Sequence, residues 1–118
     1  MAARRRRHLR RQTPLREDRK FIVQVVFEPG AEKAEANVEA VRGLLDDLVS
    51  QQPGFRRARL HKGVGQAEGV VVNYMEWESM EAFMAFRAEH ADRVSAAIGQ
   101  YGPRFLTSDV VHAVGDWG

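Results

Sequence analysis

The spacing of apolar residues along this chain changes from two to about three and a half, returns to two, and then repeats the excursion; no other feature restricts the fold as much. Phe21-Ile-Val-Gln-Val-Val-Phe27 is rich in β-branched and aromatic residues and runs into Glu28-Pro29-Gly30, so it reads as a strand closed by a turn. From Ala31 onward Ala34, Val38, Val41, Leu45 and Leu48 recur at intervals of four and three, with Glu32, Glu35, Glu39, Arg42 and Asp46 opposite. That is an amphipathic helix, which Pro53-Gly54 ends near Gln52. Phe55 to Lys62 is a second strand, Gly63 to Glu68 a loop, and residues 70–77 a third strand. Ser79 is placed to cap a second helix with Met80, Phe83, Met84, Phe86, Val94, Ala97 and Ile98 as its apolar stripe. Pro103 blocks its continuation, and Phe105 to Val114 supplies the last strand. The order βαββαβ predicts an α+β, ferredoxin-like fold: a four-stranded antiparallel sheet with both helices on one face.

In the third strand alternate side chains share a face, so Val71, Asn73, Met75 and Trp77 point one way and Val70, Val72, Tyr74 and Glu76 the other. A buried amide without partners costs about 1 to 3 kcal/mol, so a polar neighbour or a ligand is expected beside Asn73. If the helices cover that face, Asn73, Met75 and Trp77 line a pocket with Phe83, Met84 and Phe86, an apolar, aromatic-rich cavity suited to a flat aromatic ligand. The opposite face, with Ile22, Val26, Val70, Val72 and Tyr74 around the single amide Gln24, is left bare by two helices and reads as an interface.

At 118 residues, 44% of them apolar and 29% charged, the chain holds one globular domain, expected over residues 20–118. No apolar run is long enough to span a membrane, and no signal peptide is recognisable, so a cytoplasmic location is expected. The absence of Cys excludes disulfides, thiolate catalysis and Cys-ligated metal. The net charge of +2 conceals an asymmetry: nine basic residues stand against Glu17 and Asp18 up to Lys20, and nine basic against fourteen acidic beyond it. Residues 1–19 therefore read as a disordered basic tail on an acidic body. A solvated extension is the reading preferred over a nucleic-acid or anionic-surface anchor, because no aromatic side chain interleaves with its arginines to stack on a base, so no nucleic-acid partner is expected.

The third strand and its run into Ser79-Met80-Glu81-Ala82-Phe83, with Gln52-Pro53-Gly54-Phe55 and Leu60-His61 upstream, resembles the antibiotic biosynthesis monooxygenases of the dimeric α/β-barrel superfamily over about residues 20–115. Pro-Gly-Phe and Trp-x-Ser recur across that superfamily; the Asn-Tyr-x-x-Trp spacing of Asn73 to Trp77 leans toward its polyketide-oxidising members. The resemblance implies a homodimer packed through its sheet faces. It further implies oxidation of a phenolic or anthrone-type aromatic polyketide to a quinone by molecular oxygen, with no metal, flavin or haem cofactor. On that footing Asn73 donates its amide N–H to the developing oxyanion, and Trp77 packs on the ring system with its indole N–H available as a second donor. Phe83 stands where similar members carry a helix Tyr, and Ala97 where they carry a helix Arg, leaving Arg93 as the nearest cation.

His61 is the candidate general base, from the neutral pKa range of imidazole. His8 belongs to the tail, His90 to a helix flank and His112 to the last strand, and no pair has metal-ligand spacing, so no metal site is expected. Gly63-Val-Gly65 lies between antiparallel strands and opens no helix, so it is not a phosphate loop. A non-catalytic ligand-binding or accessory protein of the same fold is the alternative. The haem-degrading branch, which uses a helix His as iron ligand beside a Trp, is a lesser one, because Ala96 and Phe86 stand at its matching positions.

Overall fold

The computed structural model describes residues 20–110, with side chains to residue 107. The basic tail, His8 and His112, and the expected end of the last strand at Val114 lie outside the described residues. Strand β1 (Lys20–Phe27) leads to helix α1 (Ala31–Asp47), β2 (Phe55–Lys62), β3 (Val71–Trp77), helix α2 (Met80–Ile98) and β4 (Arg104–Val110). All pairings are antiparallel and the sheet order is β2-β3-β1-β4, the ferredoxin-like arrangement that the alternation of periods predicts.

Strict alternation sorts the sheet into two faces. Phe21, Val23, Val25 and Phe27 of β1 and Val71, Asn73, Met75 and Trp77 of β3 are all buried under the helices. On α1 the buried positions are Ala34, Asn37, Val38, Val41 and Leu44, and Glu32, Glu35, Glu39, Arg42 and Asp46 are exposed. The regular helix stops at Asp47, five residues before the expected end, because Leu48 leaves the helical region at φ −132° to bury its side chain. A single 3-10 turn, Val49–Gln51, then continues to the Pro53-Gly54 corner.

That corner shows why Pro-Gly-Phe suits this position. Gly54 has φ +85°, a side chain there would meet the Ala82 Cβ at 2.5 Å, and its carbonyl accepts from the Glu78 N–H at 2.7 Å. Glycine is thus required both by conformation and by the closeness of α2. Immediately after it, β2 carries a bulge between Phe55 and Arg57: Phe55 pairs with Trp77, Arg57 with Glu76, and the extra residue is Arg56. The Phe55 and Trp77 rings therefore meet in a T-shaped arrangement, their centres 5.6 Å apart.

Helix α2 starts as expected, the Ser79 Oγ accepting the Ala82 N–H at 3.1 Å. Its stripe is narrower than the sequence suggests. Phe83, Phe86 and Ile98 are buried, whereas Met80 and Met84 are 45% and 47% exposed. The helix is interrupted at His90, with φ −118° and ψ 19°, where the imidazole lies 5.6 Å from Phe86.

The open face is mixed rather than uniformly apolar. Ile22, Val26, Val72 and Tyr74 are half-buried, and Leu106 is 54% exposed. Between them Glu76 accepts the Tyr74 hydroxyl at 3.0 Å and lies 3.4 Å from the Lys20 Nζ and 3.9 Å from the Arg57 Nε. Partial burial, followed by the bond to Glu76, raises the Tyr74 pKa above its ordinary value.

Candidate functional site

A cavity of about 240 Å³ lies between the sheet and both helices. Val25, Phe27, Asn73, Met75 and Phe105 form its floor, α1 contributes Val41, Leu44 and Leu45, and α2 forms most of the remaining wall, which Val49, Gly99 and Pro103 complete. The sequence of α2, with Gly99 just beyond its end, explains the opening. Phe83, Arg87, Ala91, Ser95 and Gly99 follow one another at four-residue intervals and all border the cavity, so a large aromatic closes one end while three small residues leave space along the helix.

Asn73 is 5% exposed, borders this space, and its Oδ1 is buried without a hydrogen-bond partner among the described residues. Its strand position explains the placement: it sits between Val71 and Met75 on the buried face and pairs with Val25 and Leu60 on the flanking strands. An amide presents an acceptor at one end and donors at the other. It is therefore equipped to take an O–H from a neutral phenol or, turned about its last torsion, to give an N–H to the anion.

Of the other residues expected at the site, Met75, Phe83 and Phe86 border the cavity. Trp77 stands behind them. It is fully buried, its Nε1 has no partner among the described residues, and it packs at 5.5 Å edge-on to Phe83 and 5.4 Å stacked on Phe86. The indole thus fixes the two phenyl rings of the wall and is not itself among the lining residues. Met84 and Arg93 are exposed on α2 and do not border the cavity, a correction imposed by the phase of the helix. His61 is exposed opposite Val72 on the open face, so the sheet separates it from the cavity, and it cannot be the base there within this chain.

Two features escaped the sequence reading. Arg87 borders the cavity, its guanidinium 4.6 Å from the centre of the Phe105 ring and 5.9 Å from that of Phe83. The signal was its position four residues after Phe83. Asn37 is fully buried on α1 with neither amide atom hydrogen-bonded among the described residues. The signal there was its place three residues after Ala34, inside the apolar stripe. No three His, Asp or Glu side chains among the described residues are grouped to hold a metal ion, and no helix among them is long and apolar enough to cross a membrane.

Residues 20–97 match the family model for antibiotic biosynthesis monooxygenase. The chain belongs to that family. Its fold recurs in a Streptomyces coelicolor monooxygenase solved with nanaomycin D, at 21% identity over 86% of this chain and 96% of that one, with a TM-score of 0.69. An anthrone oxidase-like protein is 26% identical over 81% of this chain, which spans 46% of that longer protein, with a TM-score of 0.64. A Shewanella oneidensis protein shares the fold at 17% identity, 77% and 90% coverage and a TM-score of 0.63. No curated protein matches the sequence significantly. In this antibiotic biosynthesis monooxygenase family member, then, the apolar cavity bordered by Asn73 with its unpartnered Oδ1 is the feature on which a functional reading turns.

Proposed function

We propose that the protein is a cytoplasmic, cofactor-independent monooxygenase that oxidises a phenolic or anthrone-type aromatic polyketide to a quinone with molecular oxygen. The observation that carries this reading is Asn73, buried, with its Oδ1 unpartnered among the described residues, and bordering an aromatic-walled cavity in a family of monooxygenases. A buried polar group left unsatisfied costs stability, and a ligand oxygen beside it recovers that cost. The anthrone-linked neighbour supports the substrate class.

The chemistry follows from what lines the cavity. Among the described residues that border it there is no carboxylate or imidazole, so on this reading the substrate is itself acidic enough to lose its proton toward solvent or a bound water. The amide N–H of Asn73 stabilises the resulting anion. That anion passes one electron to dioxygen, and the substrate radical and superoxide recombine to form a carbon–oxygen bond. Protonation gives a hydroperoxide; loss of the carbon-bound proton and cleavage of the O–O bond release water and leave the new carbonyl. One oxygen atom enters the product and one leaves as water. The apolar walls from Phe83, Phe86 and Phe105 orient the ring system and exclude water.

The same reading includes a homodimer through the open sheet faces, supported by the half-buried Ile22, Val26, Val72 and Tyr74 and the exposed Leu106. Among the described residues no carboxylate or imidazole borders the cavity, and Phe83 stands in place of a hydroxyl-bearing residue; that is the observation that favours a ligand-binding role instead. Oxygen uptake with 1,8-dihydroxyanthrone in the presence of chelator separates the two. Oxidation above the uncatalysed rate, with one quinone formed per oxygen consumed, supports the monooxygenase; binding without any acceleration overturns it.

A further inference from the structure

We propose that Arg87 is the anion-recognition group of the cavity, and that the ligand is a flat aromatic carrying an ionised acidic group, a carboxylate or an acidic phenolate, at the end remote from Asn73. The inference rests on the aromatic-ligand reading of the cavity and deepens it by naming the charge its ligand carries.

Among the described residues, Arg87 is the one charged residue bordering the cavity, and the other polar side chains there are Asn73 and Ser95. Its guanidinium rests against Phe105 at 4.6 Å and Phe83 at 5.9 Å, and it has no ion pair among the described residues. Stacking on rings leaves the edge of a guanidinium, with its N–H donors, free for a planar oxyanion. The surrounding body opposes anion entry: from residue 21 onward nine basic residues face fourteen acidic ones. A lone cation on the aromatic wall of an acidic protein is well placed to reverse that bias locally.

The register fixes the spacing. Asn73 pairs with Val25, and Val25 pairs with Phe105, so amide and Phe105 lie on one row across the sheet, two strands apart. At about 4.8 Å per strand, the amide and the ring beneath Arg87 are roughly 10 Å apart. A tricyclic aromatic with a substituent at each end has that reach, one oxygen meeting Asn73 and the anionic group meeting Arg87.

The test compares anthraquinone-2-carboxylate with its neutral isostere anthraquinone-2-carboxamide. Neither is oxidised, so binding is read separately from turnover. By calorimetry at low salt, wild type is expected to bind the carboxylate about 5- to 30-fold more tightly than the carboxamide, the range of one charge-assisted contact. R87Q should bind both alike, and its continued binding of the carboxamide shows that the site is intact. R87K should keep part of the preference, and high salt should reduce it in wild type. A preference that survives in R87Q, or is absent in wild type although the carboxamide binds, overturns the role of Arg87 and leaves the aromatic cavity standing. Failure of both compounds to bind overturns the proposal together with the aromatic-ligand reading, and oxygen uptake with the anthrone reports independently on the oxidase.

Discussion

His61 and Val72 face one another across β2 and β3, while Leu60, one residue earlier, faces Asn73. The imidazole therefore points to the open side of the sheet and the amide to the cavity side. His61→Ala should leave oxygen uptake essentially unchanged. A general base contributes about 100-fold or more, so a loss of that size in steady-state kinetics would contradict the placement.

Asn37 provides a test of packing alone. Its side chain is fully buried with both amide atoms unpaired among the described residues, and an apolar side chain of similar volume removes that penalty. Asn37→Leu should raise the free energy of unfolding in urea by about 1 to 2 kcal/mol. A drop instead would show that the amide is hydrogen-bonded in solution.

Trp77 is expected to matter for stability more than for chemistry, because its ring backs Phe83 and Phe86 without bordering the cavity. Trp77→Phe should cost about 1 to 2 kcal/mol through lost packing, while turnover at a temperature where the variant is folded falls less than turnover in an Asn73 variant. Loss of turnover in Trp77→Phe equal to that in Asn73→Ala would place the indole N–H on the substrate.

Tyr74 sets a dependence on alkaline pH. Partial burial and then Glu76 raise its pKa from 10.0, so the folded state holds the phenolic proton more tightly than the unfolded state. The associated stability is fully present below about pH 10 and is lost as pH rises through the raised value. Urea midpoints measured between pH 8 and 11 should fall more steeply in wild type than in Tyr74→Phe; parallel curves would contradict this.

The alternation of periods made all four strands and both helices legible, because each element buries one face and the apolar spacing records which. What it could not show was phase. With Phe55 facing the helices, unbroken alternation would turn Arg57, Arg59 and His61 inward as well; the bulge at Arg56 shifts the strand by one residue and brings Ala58 and Leu60 inward instead. On α2 the same question of phase separates Arg87, which borders the cavity, from Arg93, which does not. Asn37 was passed over because a polar residue inside an apolar stripe leaves the period intact. Asn73 was legible because a strand alternates strictly, so an amide between Val71 and Met75 has only one face to occupy.

The most direct measurement is Asn73→Ala, followed in parallel by oxygen uptake with 1,8-dihydroxyanthrone and by urea unfolding. If the amide is reserved for the substrate anion, turnover should fall about 100-fold or more, while stability is unchanged or slightly higher because a buried unpaired polar group has been removed. Oxygen uptake equal to wild type, accompanied by a loss of stability, would show that Asn73 holds the fold together and would contradict its role in oxidation.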